Sequence, residues 1–354
     1  MATDTVRVGF IGAGAIVRQR HVPGLQQIGG VELVGVANTS RSSSERAAEE
    51  LGIRRVYEDW RELTQSDEVD VVWIGTHPNT HREMCVAALE AGKHVFCQAR
   101  MAPDYADAKA MWEAARASDR TTMLCPPPHY MRGDRVIRRL LREGLIGEPR
   151  TLVVQSFSDL YADPLKPLHW RQQRAISGFN TLDVGMMLEV MQRWLGYARR
   201  VTALEKTVVP TRLRADGGTG TVERPDSVSA IAELENGALA TMLFSGVARH
   251  ARDANRFEIY GSEGTIRYLY ASDTILAGTS ADAELRHVPI LPEEAREWTV
   301  EADFVAAVRS GQSSAEPSFW DGLKYIEMTE ALARSAVTGR AVDLPFEPLG
   351  ASNQ

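Results

Sequence analysis

Short apolar runs alternate with amphipathic segments along residues 6–128, and this alternation restricts the possible folds more than any other feature. The runs are rich in Val and Ile and almost uninterrupted, as strands buried on both faces must be. Five runs are predicted to be strands: Val6–Ile11, Val31–Ala37, Val69–Gly75, His94–Cys97 and Thr122–Cys125. Four segments between them have helical periodicity: Arg18–Ile28, Ser42–Leu51, Thr80–Ala91 and Tyr105–Ala117. Strand–helix alternation with right-handed crossovers predicts an α/β domain over residues 1–128 with a doubly wound parallel sheet.

The pattern changes after the triple proline Pro126–Pro128. An amphipathic helix is predicted at Arg135–Arg142, and further helices at Thr181–Leu195 and Phe319–Ser335. Strands are predicted at Arg150–Phe157, Val228–Glu235, Ala238–Gly246, Phe257–Gly261 and Thr265–Tyr270. The Asn236-Gly237 pair is typical of a hairpin turn, and Arg212–Arg224 is predicted to be a mobile loop. We expect residues 129–354 to form an α+β domain with an open, mainly antiparallel sheet, whose C-terminal helix is able to pack back on the first domain.

The charge balance excludes several classes of partner. Lys and Arg number 40 and Asp and Glu 47, a net charge of −7, so no basic excess exists for nucleic acid. Three scattered cysteines without a CxxC pair favour a reducing compartment. The chain has neither a secretory signal pattern nor an apolar run long enough for a membrane span. We therefore expect a cytoplasmic protein that acts on a small molecule.

A glycine-rich turn follows the first predicted strand and precedes a helix. In Gly12-Ala13-Gly14-Ala15-Ile16-Val17, the first glycine permits a tight turn and the second lets the backbone approach a pyrophosphate. The following helix start, with Ala15 and Ile16, offers backbone N–H groups to an anion. Val17 occupies the usual third-glycine position. The turn predicts a dinucleotide site.

The end of the second strand predicts which dinucleotide is preferred. An acidic residue there would bind the ribose 2′-hydroxyl and repel a 2′-phosphate, but this chain has Asn38 followed by Ser40, Arg41 and Arg46. Neutral donors and arginines suit a 2′-phosphate, so NADP(H) is predicted over NAD(H). The alternative is an ordinary polar loop with solvated arginines. The spacing of Ser42 and Glu45 further predicts a capping box at a helix start.

Several motifs, in the same order along the chain, resemble those of the Gfo/Idh/MocA oxidoreductases. This family includes glucose–fructose oxidoreductase and inositol 2-dehydrogenase. The motifs are Val8–Gly14, Thr76–His81, Ala88–Val95, Trp170-Arg171, Gly178, Leu182–Gly185, Asp303-Phe304, Asp321–Leu323 and Thr338–Arg340. The resemblance implies a Rossmann domain, an open-sheet second domain and a homodimer or higher homo-oligomer. It also implies cofactor contacts at positions along the chain: Thr76, His77, Asn79, His81, Gln98, Trp170 and Arg171.

The catalytic positions depart from the pattern of that family. The family usually has Glu-Lys-Pro after the fifth strand, whereas this chain has Gln98-Ala99-Arg100. The family's histidine four residues after its motif aspartate is here Met187. Neither Ala nor Met exchanges a proton, so the usual acid/base pair is missing.

Four residues are candidates for the remaining chemistry, each with a structural alternative. Asp183 is the first candidate for proton transfer, or a carboxylate that stabilises a helix dipole. Tyr130 is a candidate donor or an aromatic packed between domains, and His169 is a titratable group or a structural one. Arg100 is a candidate to hold a carboxylate or polarise a carbonyl, or a member of a surface ion pair.

A metal site is not predicted, because Pro78 separates His77 and His81 and no third ligand is evident. The methionines Met186, Met187 and Met191 have helical spacing and are predicted to be core residues.

The sequence leaves three functional hypotheses open. The first is an NADP(H)-dependent oxidoreductase of a sugar, polyol or related carbonyl compound with a non-standard acid/base set. The second is a redox-neutral lyase or glycosidase that uses transient nicotinamide oxidation. The third is a non-catalytic cofactor-binding sensor.

Overall fold

The computed structural model describes residues 5–127 and 131–348, which form two compact units. The first unit contains the described residues up to Pro126 together with Trp298–Leu323. The second contains the described residues from Pro127 to Glu297 and from Lys324 onward. The sequence interpretation placed Trp298–Leu323 in the second domain, whereas the contacts of this segment assign it to the first unit.

The secondary structure of the described residues runs in the following order. The strands are β1 Val6–Ile11, β2 Val31–Ala37, β3 Arg55–Val56, β4 Val71–Ile74, β5 His94–Cys97, β6 Thr122–Leu124, β7 Pro149–Phe157, β8 Ala198–Lys206, β9 Thr211–Leu213, β10 Thr219–Thr221, β11 Ser227–Leu234, β12 Leu239–Ser245, β13 Arg256–Gly261, β14 Gly264–Leu269, β15 Thr274–Thr279, β16 Arg286–Val288 and β17 Val342–Asp343. The helices are α1 Val22–Gln26, α2 Arg41–Leu51, α3 Trp60–Gln65, α4 Pro78–Glu90, α5 Tyr105–Ala117, α6 Asp134–Arg142, α7 Arg174–Ser177, α8 Val184–Leu195, α9 Val300–Ser310 and α10 Phe319–Thr338. A π-helical segment, Val17–His21, leads directly into α1, and 3-10 turns lie at Trp170–Gln172 and Arg252–Ala254.

The first unit is built on a six-stranded sheet in the order β3-β2-β1-β4-β5-β6, and every strand pair in it is parallel. This confirms the predicted doubly wound sheet. The short strand β3 was not predicted, because two residues carry no readable periodicity. Trp73 of β4 stacks on Phe96 of β5 with ring centroids 3.8 Å apart, and Phe304 of α9 packs edge-on against both rings. Aromatic packing of this kind fixes the strands that carry the candidate cofactor site.

The second unit is built on a nine-stranded sheet in the order β16-β15-β14-β13-β7-β12-β11-β8-β17. The β7–β12 pair is parallel and the other pairs are antiparallel, as an open, mainly antiparallel sheet was expected to be. Helix α8 covers one face of this sheet, where Trp194 packs on Phe257 at 4.9 Å. The methionines of α8 are buried there, as predicted.

The other face of this sheet is open within the second unit. Burial alternates along β11, and Ile231 is 58% exposed. Leu204 of β8 and Leu239 of β12 point to the same face and are 73% and 59% exposed. A strand with one buried and one exposed face produces this alternation.

The predicted mobile loop Arg212–Arg224 is an ordered hairpin. Strands β9 and β10 pair antiparallel, and the Arg212 side chain is 2% exposed. Its guanidinium donates hydrogen bonds to the backbone oxygens of Tyr161, Asp163 and Lys166. The interpretation of this segment as mobile was wrong, because three backbone carbonyl groups hold the buried Arg212 guanidinium in place despite the Gly-rich composition. None of the described helices is long and apolar enough to span a membrane.

Candidate functional site

The turn after β1 has the geometry that its two glycines require. Gly12 has a φ of +84°, and a Cβ atom there would lie 2.6 Å from Thr76 Cγ2. Only glycine adopts this conformation without strain in so little space. Gly14 is exposed, and its Cβ would meet nothing nearer than the Gly75 oxygen at 3.7 Å. A pyrophosphate can therefore approach the backbone at Gly14, and the turn fits a dinucleotide.

Gly75, which follows β4, explains how Val17 occupies the third glycine position. A Cβ at Gly75 would lie 2.5 Å from Val17 Cγ2 and 2.4 Å from the Gly12 oxygen. The third glycine of this fingerprint normally permits close helix–strand packing. Here Gly75, at the end of the strand, is the residue without a side chain, and Val17 of the helix occupies the space. Sequence reasoning did not assign Gly75 to the site, although a glycine at the end of the predicted strand Val69–Gly75 was a usable signal.

Asn38 holds the glycine turn in place. Its Oδ1 accepts a hydrogen bond from the backbone N–H of Ala13 at 2.8 Å, and its Nδ2 donates to the Ser43 oxygen at 2.9 Å. The helical turn that follows starts at the exposed Ala15 and the half-buried Ile16. Asn38 therefore fixes the conformation of the glycine turn, and both its amide oxygen and its amide nitrogen are hydrogen-bonded within the protein.

The start of α2 differs from the sequence prediction. Ser40, and not Ser42, is the N-cap, and its Oγ accepts from the backbone N–H of Ser43. The predicted capping box was wrong, because Glu45 forms an ion pair with Arg41 at 2.9 Å and leaves the helix start to Ser40. Arg41 also pairs with Glu58. Exposed ion pairs of this kind contribute about 0–1 kcal/mol, so an anionic ligand can replace Glu45 and Glu58 as partners of the Arg41 guanidinium. Arg46, one turn further on, is also exposed.

The loop between β4 and α4 carries the next group of candidates. Thr76 is half-buried, His77 is the exposed N-cap of α4, and Asn79 is exposed in the first helical turn. His81 is fully buried: its Nδ1 lies 2.9 Å from the Met101 oxygen and its Nε2 lies 3.2 Å from the Thr76 oxygen. His81 therefore braces the loop that presents the other three residues.

The segment after β5 carries the altered catalytic positions. Gln98 is half-buried, and its Oε1 lies 3.0 Å from Nε2 of His21. Arg100 is 6% exposed, so its interpretation as a surface ion pair was wrong. A buried guanidinium lies where the family has proline, one residue beyond the position of the missing lysine.

Asp183 lies at the N-terminus of α8 in the second unit without capping it. Its carboxylate makes no cap hydrogen bond and instead accepts from Ser156 Oγ at 3.4 Å. The preceding Leu182 has a φ of +43°, a conformation that is costly for a branched residue and is often found at functional sites. Tyr270 belongs to the same cluster, and burial keeps the pKa of its phenol above the usual range. Sequence reasoning missed Ser156 and Tyr270, which no local motif marks.

His169 and the Trp170-Arg171 pair form a short structural motif in the second unit. His169 Nδ1 accepts from the backbone N–H of Arg171, and Gln172 Oε1 accepts from the backbone N–H of His169. The Arg171 guanidinium lies 4.5 Å from the Trp170 ring centre, a cation–π distance. The fourth catalytic candidate, Tyr130, lies outside the described residues.

The first unit brings most of the candidate cofactor residues together at one edge of its sheet. The glycine turn, the Thr76 loop and the Gln98 segment all follow the carboxyl ends of β1, β4 and β5. Because β1 and β4 are neighbours although they are not consecutive in the chain, this is the strand-order reversal at which such sheets bind ligands. The fold and the turn define a protein of the dinucleotide-binding Rossmann class.

Comparison with known proteins gives the family. Residues 6–124 match the model of an oxidoreductase family with an NAD-binding Rossmann fold, and residues 135–267 match the GFO/IDH/MocA C-terminal domain. The chain belongs to the Gfo/Idh/MocA family of oxidoreductases.

Two of the similar proteins are dehydrogenases that are matched over most of their length. Levoglucosan dehydrogenase of Pseudarthrobacter phenanthrenivorans is 28% identical, over 88% of this chain and 89% of the relative. Myo-inositol 2-dehydrogenase of Thermotoga maritima is 26% identical, over 96% of this chain and 98% of the relative. A solved structure of levoglucosan dehydrogenase with NADH and L-sorbose has a TM-score of 0.86 at 26% identity and covers 96% of this chain and 99% of that chain.

Proposed function

We propose that this chain is an NADP(H)-dependent oxidoreductase that transfers hydride to or from a sugar, a polyol or a related carbonyl compound. The open backbone at Gly14, beside the tightly enclosed Gly12, is the observation that carries the proposal. Two relatives that cover most of the chain are named as dehydrogenases of levoglucosan and of myo-inositol. When bound, the nicotinamide supplies the hydride acceptor or donor, so the protein must supply binding, orientation and proton transfer.

Proton transfer is assigned to Asp183. Oxidation of an alcohol releases one proton for each hydride, and Ala99 and Met187 cannot accept it. The Asp183 carboxylate bonds Ser156 and makes no bond to its own helix N-terminus, which favours a functional role over a dipole-stabilising one. Tyr130 and His169 stay predictions, and variants of both belong in the same kinetic comparison.

Arg100 is assigned the role of the cation beside the reacting oxygen. A guanidinium does not act as a base at neutral pH, but it stabilises a developing alkoxide or holds a substrate carboxylate. Its burial strengthens such an interaction, because the surrounding medium screens charge less than water does.

The preference for NADP(H) is proposed from the residues after β2. No carboxylate follows this strand before Arg41, and Ser40 and Asn38 are neutral. Arg41 lies in the first turn of α2, where its exposed ion pairs can be replaced by a phosphate, and Arg46 is a second exposed cation. A 2′-phosphate is bound most strongly by guanidinium groups.

A substrate panel tests the proposed reaction. The purified chain is incubated with NADP⁺ or NADPH and single sugars, polyols and carbonyl compounds, and both cofactor absorbance and product mass are followed. We expect product and cofactor change in equal amounts for at least one compound. Product without net cofactor change would replace the proposal with the redox-neutral lyase or glycosidase, and no product from the panel would leave the sensor hypothesis in first place.

We further propose that the open sheet face of the second unit forms a homo-oligomer. The exposed Leu204, Ile231 and Leu239 lie on that face across three neighbouring strands. Clustered apolar side chains on one face mark an association surface more often than scattered ones do, and a two-fold pair of identical sheets is the simplest closed arrangement.

The buried thiols of Cys85, Cys97 and Cys125 support the proposal of a reducing compartment such as the cytoplasm.

A further inference from the structure

A buried hydrogen-bond network in the first unit reaches the Gln98-Ala99-Arg100 segment. His21, the last residue of the π-helical segment, is fully buried, with its Nδ1 2.5 Å from Glu301 Oε1 and its Nε2 3.0 Å from Gln98 Oε1. Glu301 lies in α9, 280 residues further along the chain, and is 3% exposed. Through His21, this network connects the buried Glu301 carboxylate to the Gln98 amide.

Glu301 is held in a space made for it. Trp298 Nε1 donates to both carboxylate oxygens, at 3.1 and 3.0 Å. A Cβ at Gly24 would lie 2.7 Å from Glu301 Oε2, so glycine is needed for the carboxylate to fit. A buried carboxylate is costly unless a cation pairs with it. His21 is the titratable cation within hydrogen-bond distance of Glu301 among the described residues.

The orientation of the Gln98 amide is linked to the proton count of His21. The amide atom that faces His21 is Gln98 Oε1, 3.0 Å from Nε2 of the imidazole. With Oε1 toward His21, Nε2 of the imidazole must donate, and Nδ1 donates to Glu301, so both ring nitrogens carry protons. A neutral His21 would instead require the amide to turn over and donate from its nitrogen.

We propose that His21 is a positioning residue: held as an imidazolium by Glu301, it fixes the Gln98 amide and with it the Gln98-Ala99-Arg100 turn. The consequence for turnover rests on the proposed function, in which Arg100 is the cation at the reacting oxygen. The proton state of His21 does not rest on it.

The charged and titratable groups around His21 come from several elements. Glu301 belongs to α9, Cys125 follows β6, and the Arg20 guanidinium lies 5.3 Å from the Trp298 ring centre. Burial keeps the pKa of the Cys125 thiol well above its usual range, so it remains neutral. Trp73 and Phe96 supply the apolar walls, with ring centres 5.0 and 5.2 Å from the imidazole.

Nitrogen-15 NMR of the full chain labelled at histidine tests the proton state directly, with His21→Asn used to assign the signal. At pH 7 we expect two protonated ring nitrogens in the wild type, one in Glu301→Gln and two in Gln98→Glu. Glu83→Gln, an exposed carboxylate paired with Arg61, is the matched control and should leave the spectrum unchanged. A singly protonated wild-type His21, or an unchanged spectrum in Glu301→Gln, would overturn the proposal.

Kinetics with the substrate found in the panel test the positioning role separately. Gln98→Leu should lower kcat by about tenfold or more, with the dinucleotide KM changed less than about twofold, because misplacement of a reacting group acts on the chemical step. Gln98→Glu keeps an acceptor oxygen for His21 and should recover most of that loss. Equal losses in both variants would refute the positioning role. Absence of turnover in the wild type would refute the proposed function while the NMR result still decides the state of His21.

Discussion

At the scale of single residues, the two glycines of the first turn have different duties. Gly12 is needed by the fold, because its φ is +84° and its surroundings leave no room for a side chain. Gly14 has room, and its exposed backbone is the proposed contact for the pyrophosphate. Substitution at Gly14 therefore separates binding from folding.

Gly14→Ala should weaken NADPH binding by about tenfold or more, or about 1.4 kcal/mol, because the added methyl blocks the pyrophosphate. The melting temperature should stay that of the wild type, since the nearest atom to the new Cβ is 3.7 Å away. Fluorescence titration and thermal unfolding measure the two effects. Gly29→Ala, where nothing lies within 4 Å of the new Cβ, is the control for binding; equal affinities of the two variants would contradict the role of Gly14.

Asp183→Asn should reduce kcat by about 10²–10⁴-fold, the usual contribution of a general acid or base. Dinucleotide affinity should remain unchanged, because the residue is assigned to proton transfer alone. Steady-state kinetics beside a binding titration measure this, with the exposed Asp119→Asn as control. A kcat within threefold of the wild type would remove Asp183 from the mechanism and turn attention to Tyr130 and His169.

At the scale of secondary-structure elements, a buried ion cluster joins two helices of the second unit. Asp134 at the start of α6 is fully buried, and Arg193 of α8 and Arg296 each approach its carboxylate at 2.8 Å. Trp194 Nε1 donates to the same carboxylate at 2.7 Å. Burial alone would raise the pKa of Asp134, but the two arginines outweigh it and lower that pKa below its ordinary value.

Asp134→Asn should lower the free energy of unfolding at pH 7 by about 3 kcal/mol, because Arg193 and Arg296, which are both half-buried, lose the Asp134 carboxylate and Arg193 keeps Glu189. The carboxylate's contribution is present above its unfolded-state pKa of about 3.9 and is lost as pH falls through the lower folded-state pKa. The difference between wild type and variant should thus narrow toward pH 3 in urea unfolding. A constant difference from pH 7 to pH 3 would contradict this assignment, and the exposed Asp119→Asn again serves as control.

Local sequence patterns predicted the elements well where periodicity is strong. The bounds of β1, β2, β5 and α5 agree with the prediction, because each has an uninterrupted pattern. Ser40 was missed as the cap of α2, since three serines in a row give the same signal. The hairpin of β9 and β10 was missed because its stability comes from Arg212, which binds carbonyls about 46–51 residues away.

The candidate site was predictable only where its residues share a motif. The glycine turn and the Gln98-Ala99-Arg100 departure are contiguous in the chain, so the sequence alone marks them. The contact of His21 with Glu301 joins residues 280 positions apart, and Gly75 makes room for Val17 only once two elements pack. Distances of this kind depend on the tertiary fold.

At the scale of the whole molecule, the open sheet face predicts association. Ile231→Glu should convert the proposed oligomer to a monomer, because it places a charge in the centre of the apolar face. Light scattering measures the mass before and after the substitution. Leu165→Glu, at a loop residue that is 78% exposed in the same unit, should leave the mass unchanged; a monomeric wild type would contradict the proposal.

Titration of the full chain with NADPH and separately with NADH tests the central claim most directly. We expect tighter binding of NADPH, and Arg41→Ala should weaken NADPH by about tenfold while NADH changes less than about twofold. Arg54→Ala, an exposed arginine paired with Glu68, should leave both affinities unchanged. Binding of NADH in preference to NADPH would contradict the proposed cofactor preference, and binding of neither would contradict the assignment of the glycine turn as a dinucleotide site.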